Sequence, residues 1–418
     1  LSPRSYFWSR RLKVTACGVA LGLATSAVAV PASADPASTG LTPPAARARL
    51  LALAQDLVAA GAPGVIVRVD DGRGRPVEFT AQAGWARHDQ RLDPGDEFRM
   101  GSNTKTMMAA VVLLLAAEGR LGLDDPADTW LPGKVPGGGA ITLRMLLNHT
   151  SGLADYTEDP ALVPSILGKE TRRWTSLDLL AVGAAREPLF PPGTRWSYSN
   201  TNYAAVGAVL EKVTGESLAG LIRDRIARPL GLRHTYFAVD GTWQGRHATG
   251  YEPDPGHMPP GVPEEFRDVA GPRRAGHADV SGHDPGWGGA AGAVVSTARD
   301  WARFHSALMS GQLLPPAQLA EFRRTVPMDP ANPVNGPGYG LGIETGDVPC
   351  GRVWAHSGGI TGYSSLTITD STGERTASVL VPALFLLEFE AAPELLRADE
   401  ALKTAVACTM FGKPVPGK

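Results

Sequence analysis

The sequence predicts a mixed α/β (α+β) fold, with one antiparallel sheet flanked by helices and joined to a mostly helical subdomain. Three observations predict it. Residues 65–69 and 76–83 are β-branched, apolar runs separated by Asp70-Asp71-Gly72-Arg73-Gly74, the signature of a hairpin. Near the other end, residues 339–344, 352–356, 363–370 and 376–382 read as consecutive antiparallel strands, closed by a helix over 392–408. Between them, residues 141–232 show helical segments at 143–147, 177–186, 202–213 and 218–226, divided by Pro and Gly turns. The two ends of the chain are therefore expected to build one sheet together.

With 418 residues, 43% hydrophobic and 20% charged, the chain has enough apolar material for a large core, which excludes disorder as the default. Its first 34 residues form a unit of their own. Arg4, Arg10, Arg11 and Lys13 precede an apolar run over 14–30, and Ala32-Ser33-Ala34 precedes Asp35, the pattern of a cleaved secretory leader. Export to the extracellular side is thus expected, and the arginine pair is compatible with a twin-arginine route. The apolar run is short and broken by Gly, Ser and Thr, so no stable membrane span is expected in the mature chain. Losing this leader removes four basic and no acidic residues, which takes the formal charge from −2 to −6 and argues against a nucleic-acid partner. Of the three cysteines, Cys17 departs with the leader. Cys350 and Cys408 remain in a chain bound for an oxidising compartment, where they are expected to form one disulfide, and neither has the spacing of a zinc site.

After a polar lead-in over 35–41, Thr42-Pro43-Pro44 opens a helix whose Leu50, Leu53 and Leu57 keep helical spacing to Gly61. The hairpin follows. Then comes Ser102-Asn103-Thr104-Lys105, a Ser-x-x-Lys at the start of a run over 107–117 that is apolar on every side and stops at Gly119. Residues three apart in a first helical turn share a face, so the Lys105 amine is placed within reach of the Ser102 hydroxyl. Burial and the positive end of the helix are both expected to lower the lysine pKa and let it activate the serine. No Gly-x-Ser-x-Gly elbow and no Walker-type phosphate loop competes with this stretch.

His149, in Asn148-His149-Thr150-Ser151-Gly152, reads as a buried histidine that fixes a turn, outside the chemistry. Residues 251–289, dense in Pro, Gly and His, read as a loop at the rim of a site, and His277 and His283 lack metal-ligand spacing. Thr297 is expected to cap a helix over 298–309. Two polar clusters complete the chemistry. In Tyr198-Ser199-Asn200, the phenol can relay a proton to a leaving group, above all if neighbouring cations lower its pKa, and the amide can hold a substrate carbonyl. In His356-Ser357-Gly358-Gly359, glycines allow a substrate backbone close, and a main-chain N–H can serve a developing oxyanion together with the Ser102 N–H. His356 is alternatively the base of a Ser-His-Asp triad, although no aspartate stands in a matching motif.

Ser-x-x-Lys, Tyr-x-Asn and His-x-Gly in this order resemble the three motifs of the penicillin-recognising serine hydrolases. The chain is similar to the class C β-lactamase superfamily and most like its secreted low-molecular-mass D-alanyl-D-alanine carboxypeptidase/transpeptidases. The likeness extends to Gln82-Ala83-Gly84-Trp85-Ala86 and to residues 149–153, 198–203, 306–313 and 338–343. It implies a β-lactamase/DD-peptidase-like domain over 35–412, with an α/β part from 41–100 and 290–410 and a helical subdomain from about 101–289. It further implies Ser102 as the acylated serine, Lys105 and Tyr198 as the proton-transfer pair, Asn200 as a side-chain amide ligand and His356 where relatives carry lysine or histidine. Gly359 N–H in the oxyanion hole, Trp287 on the pocket wall and a Cys350–Cys408 disulfide are implied as well.

Several positions depart from the pattern. Relatives that release a terminal D-alanine tend to carry a hydroxyl residue at Gly359 and an arginine near Glu344; Ala161 and Pro164 also replace an aromatic and a hydroxyl residue. Glu344 repels a carboxylate if it points inward, and Ser357 remains as a carboxylate partner. The expectation is a secreted serine hydrolase working by acyl-enzyme formation on peptidoglycan stem peptides and acylated by β-lactam antibiotics, with no cofactor and no metal. A β-lactamase, an esterase and a D-amino-acid peptidase are the alternatives within the fold. A catalytically idle peptidoglycan- or β-lactam-binding module is the alternative outside it.

Overall fold

In the strand Gly64–Asp70, alternate side chains enter two different cores: Ile66 points into one, and Val65, Val67 and Val69 into the other. The same division recurs in Thr376–Val381, where Leu380 joins the first core and Ala377, Val379 and Val381 the second. A sheet buried on both faces needs a layer on each, and the chain supplies both. The computed structural model describes residues 43–88, 90–331, 336–388 and 392–414. The expected leader, its cleavage site and Cys17 lie outside the described residues.

The main elements are α1 (Pro43–Ala59), β1 (Gly64–Asp70), β2 (Val77–Gln82), α2 (Thr104–Ala117), α3 (Ser176–Ala184), α4 (Asn200–Thr214), α5 (Ala298–Met309), β3 (Val326–Pro327), β4 (Gly338–Tyr339), β5 (Glu344–Val348), β6 (Gly351–Ile360), β7 (Tyr363–Thr369), β8 (Thr376–Val381) and α6 (Pro393–Met410). They form an eight-stranded sheet in the order β2-β1-β8-β7-β6-β5-β4-β3, antiparallel throughout. The two ends of the chain meet at the β1–β8 ladder, where Ile66 pairs with Leu380 and Asp70 with Thr376. Leu50, Ala54 and Leu57 of α1 pack with Leu402, Ala405 and Val406 of α6 on one face of the sheet. The other face carries α2, α4 and α5 in the larger core, which includes Met107 to Leu113 of α2 and Trp301 and Phe304 of α5. No described helix is long and apolar enough to cross a membrane.

Three elements differ from expectation. Residues 339–344 are not one strand: β4 ends at Tyr339, β5 begins at Glu344, and the link between them is a turn docked on α2. Gly342 is the reason. It adopts φ +75°, a Cβ there would lie 2.7 Å from the Lys105 carbonyl, and its own carbonyl accepts a 2.6 Å hydrogen bond from Thr106 Oγ1. Residues 251–289 hold a small three-stranded sheet (Tyr251–Pro253, Arg273–Arg274 and His277–Asp279) where a loop was expected. The helix expected over 218–226 is α-helical at Leu218–Ile222 and widens to a π turn over Arg223–Ala227.

Candidate active site

The nucleophile turn is a single 3₁₀ turn, Gly101–Asn103, set immediately before α2. It is fastened to the sheet by β7. Asn103 Nδ2 donates to Ser365 Oγ (2.8 Å), and that hydroxyl donates to the Met100 carbonyl (2.9 Å). The β5–β6 ladder ends at the Glu344–Ala355 pair, and residues 356–360 of β6 press on the turn. A Cβ on Gly358 would lie 1.9 Å from the Met100 carbonyl, and one on Gly101 only 2.7 Å from the Gly359 nitrogen. This close approach brings the Gly359 amide beside Ser102.

Lys105 is wholly buried, and its Nζ hydrogen-bonds Ser102 Oγ at 3.0 Å, Asn200 Oδ1 at 2.7 Å and the Ala291 carbonyl at 2.9 Å. Burial lowers its pKa to about 7, against the opposing pull of Asp155. A neutral amine has two N–H groups and one lone pair. Two of its neighbours, Asn200 Oδ1 and Ala291 O, can only accept, so the lone pair is left for the Ser102 O–H. The geometry thus makes Lys105 a base directed at one proton. Asn200 is held in the required orientation by Asp155, whose Oδ2 accepts from Asn200 Nδ2 at 2.9 Å.

Tyr198 interacts with Ser102, and Lys105 Nζ lies 4.8 Å from its ring centroid. Its pKa is not lowered as expected. Burial pushes it well above the ordinary phenol value, the contact with Ser102 works against this, and Asp155 and Glu344 add to the rise, so Tyr198 rests as a phenol able to give a proton. His356 also departs from its expected catalytic place. The ring is completely buried, Nε2 is 2.9 Å from the Tyr339 hydroxyl, and Nδ1 is 2.6 Å from the Ser357 carbonyl. Its pKa falls to about 3, through burial first and the Lys105 charge second. The Tyr339 hydroxyl continues to His149 Nε2 at 3.2 Å, and His149 Nδ1 accepts from the Ser199 amide at 3.2 Å. These partners fix the protons: His149 gives Nε2–H to Tyr339, Tyr339 gives its O–H to His356, and His356 gives Nδ1–H to the Ser357 carbonyl. The His149 ring lies 4.3 Å from that of Tyr198, and its backbone is in the left-handed region at φ 63°. His149 fixes its turn as expected, and it also packs against Tyr198.

A cleft of about 80 Å³ opens beside Ser102 and Asn200. Its walls include Ile166, Phe266, Trp287, Ile360, Leu384 and Phe385, with Gly359 and Glu388 also facing it. Glu252, completely buried, secures this wall by accepting from the amides of Gly362 (2.6 Å), Leu384 (3.2 Å) and Phe385 (2.9 Å). Ala161 and Pro164 are not among the lining residues.

The Beta-lactamase family matches residues 50–401. The chain belongs to that family. Among its relatives, Penicillin-binding protein 4* of Bacillus subtilis is 29% identical over 76% of this chain and 65% of its own length. Putative penicillin-binding protein PbpX of the same organism is matched over only 39% of its length. Esterase EstB of Burkholderia gladioli is 30% identical, covering 69% of this chain and 80% of its own. Among solved structures, a D-stereospecific amidohydrolase from Streptomyces sp. is 36% identical, with 84% of this chain and 98% of that one aligned at a TM-score of 0.71. D-amino acid amidase from Ochrobactrum anthropi is 25% identical, with 85% and 98% aligned at 0.72.

Within this β-lactamase-family fold, Ser102, Lys105, Asn200, Tyr198, Trp287 and Gly359 lie together. The Asn200 carbonyl oxygen is engaged by Lys105 and one of its N–H groups by Asp155, which leaves the other N–H for a substrate carbonyl. Gly358 and Ser357 serve the strand, the first by its lack of a side chain and the second through its carbonyl. Cys350 and Cys408 are within bonding distance, their Cα atoms 5.0 Å apart. Asp155 and Tyr339 went unrecognised in the sequence.

Proposed function

We propose that this serine hydrolase cleaves amides or esters of D-configured, apolar acyl groups through an acyl-enzyme on Ser102, in the exported form of the chain. The observation that carries the reading is the Lys105 amine 3.0 Å from Ser102 Oγ, its other two hydrogen-bond partners both acceptors. The neutral amine takes the Ser102 proton as Oγ adds to the substrate carbonyl. The amides of Ser102 and Gly359 receive the oxyanion, a stabilisation commonly worth about 3 kcal/mol per donor. Tyr198 gives its proton to the departing nitrogen or oxygen and regains one from the Lys105 ammonium. Water then releases the acyl group.

Support for the acyl class comes from the apolar cleft beside Ser102 and from the D-specific amidohydrolase and amidase among the relatives. D-alanyl-D-alanine carboxypeptidase action on peptidoglycan peptides is the second reading, favoured by the penicillin-binding relatives. It is weakened by Glu344 and by Gly359, where a side chain would meet Leu384 at 2.7 Å. β-Lactams are expected to acylate Ser102 under either reading.

The test is intact-protein mass spectrometry with a penicillin and with D-phenylalanine p-nitrophenyl ester. An adduct that maps to Ser102 and vanishes in Ser102→Ala is the expected result. Turnover of both compounds by Ser102→Ala at the parent rate would overturn the assignment.

A further inference from the structure

Glu344 opens β5, paired with Tyr339 on one side and Ala355 on the other. One of its carboxyl oxygens, Oε1, is buried with no hydrogen-bond partner among the described residues. Such an oxygen costs about 1–3 kcal/mol when left unpaired, so its presence calls for a reason. Its strand partner Tyr339 reaches His149 Nε2 at 3.2 Å, and the His149 ring lies 4.3 Å from that of Tyr198, which places Glu344 on the tyrosine side of the nucleophile; burial pushes its carboxyl up to about 7. None of Tyr198, Tyr339 and Glu344 lines the apolar cleft. Ser102 therefore stands between an apolar cleft and a second region where the proton donor and an unpaired acidic oxygen are found together.

We propose that Glu344 is the specificity residue of the leaving-group side, taking amine and amide N–H donors at Oε1 and refusing leaving groups that carry a carboxylate. This rests on the acyl-transfer reading above, which puts the acyl group in the cleft and the departing group by Tyr198. The preferred substrates are primary amides and neutral amide-terminated peptides, and the preferred alternative acceptors are amines. When the C–N bond breaks, the nitrogen leaves with the Tyr198 proton as a neutral amine. The ionised Glu344 carboxylate accepts an N–H of that amine, which takes its further proton from solvent as it departs.

The experiment holds the acyl group constant and varies what leaves. At pH 8, where the carboxyl is ionised, kcat/KM is measured for D-phenylalanine amide, D-phenylalanyl-D-alaninamide and D-phenylalanyl-D-alanine. The parent enzyme is expected to favour the alaninamide over the free acid by about tenfold or more, a difference of about 1.4 kcal/mol. Glu344→Gln narrows that gap to roughly threefold or less, and Glu344→Arg reverses it. Because the reading is a ratio between two substrates, a general loss of activity in a variant cancels, and the parent enzyme alone already tests the first expectation. A parent enzyme without the gap, or the same gap in all three proteins, overturns the assignment of Glu344 while the Ser102 adduct stands. Absence of any Ser102 adduct overturns the acyl-transfer reading and this inference with it.

Discussion

The Lys105 amine is placed to act as a base because two of its hydrogen-bond partners cannot give a proton, and one of those, Asn200 Oδ1, faces it because Asp155 holds the other end of the amide. Asp155 therefore acts at one remove, and a substitution there has a readout that simple damage lacks. Its charge raises the lysine pKa, so Asp155→Asn is expected to lower that pKa below about 7. The acidic limb of the kcat/KM profile, which in the parent rises tenfold per pH unit up to about pH 7, should move to lower pH, with the plateau reduced by about tenfold as the amide loses its orientation. A limb that stays in place would show that a group other than Lys105 controls acylation. The primary pair was legible in the sequence because three residues of helix suffice to place it. Asp155, Tyr339 and His149 were not, because each touches the chemistry only through another side chain, 17 to 190 positions away along the chain for the hydrogen bonds that matter.

At the scale of elements, patterns with a local cause were read correctly and those imposed by a neighbour were not. The alternating runs of β1, β7 and β8 and the apolar face of α6 record their own burial. By contrast, Tyr339-Gly340-Leu341-Gly342-Ile343 has the composition of a strand and becomes a turn because α2 leaves no other path. Gly342→Ala should bring a Cβ to 2.7 Å from the Lys105 carbonyl and 2.8 Å from Tyr203 Oη, at a positive φ. We expect a loss of about 2–4 kcal/mol in urea unfolding, together with lower kcat as the Lys105 backbone shifts. A stability change below about 0.5 kcal/mol would mean that the turn adjusts at little cost. The same dependence on tertiary neighbours explains the short strands within 251–289, which pair across Pro- and Gly-rich sequence that no periodicity marks.

For the molecule as a whole, the buried titratable groups set how stability responds to pH. His149, His305 and His356 are all completely buried with pKa values driven down, to about 3 for the last two, while an unfolded histidine titrates near 6.5. Their stabilisation is complete above pH 6.5 and is lost as pH falls below it. Glu252 and Glu344, raised by burial to about 8 and about 7, act in the opposite sense: they are protonated in the fold and ionised in the unfolded chain between about pH 4.5 and 7. The histidines therefore make stability fall as pH drops below 6.5, the two carboxyls offset part of that fall down to about 4.5, and the decline should steepen below it. Urea midpoints collected from pH 7 to pH 4 test this; a flat profile across pH 4.5 would contradict it.

The packing of α1 against α6 has a practical meaning for attachment. Both helices lie beneath the sheet, while the nucleophile turn and α2 belong to its upper face. A tether, a fluorescent reporter or an immobilising resin joined ahead of Pro43 or behind Met410 would hang from the floor of the molecule, leaving the entrance above open to incoming compounds.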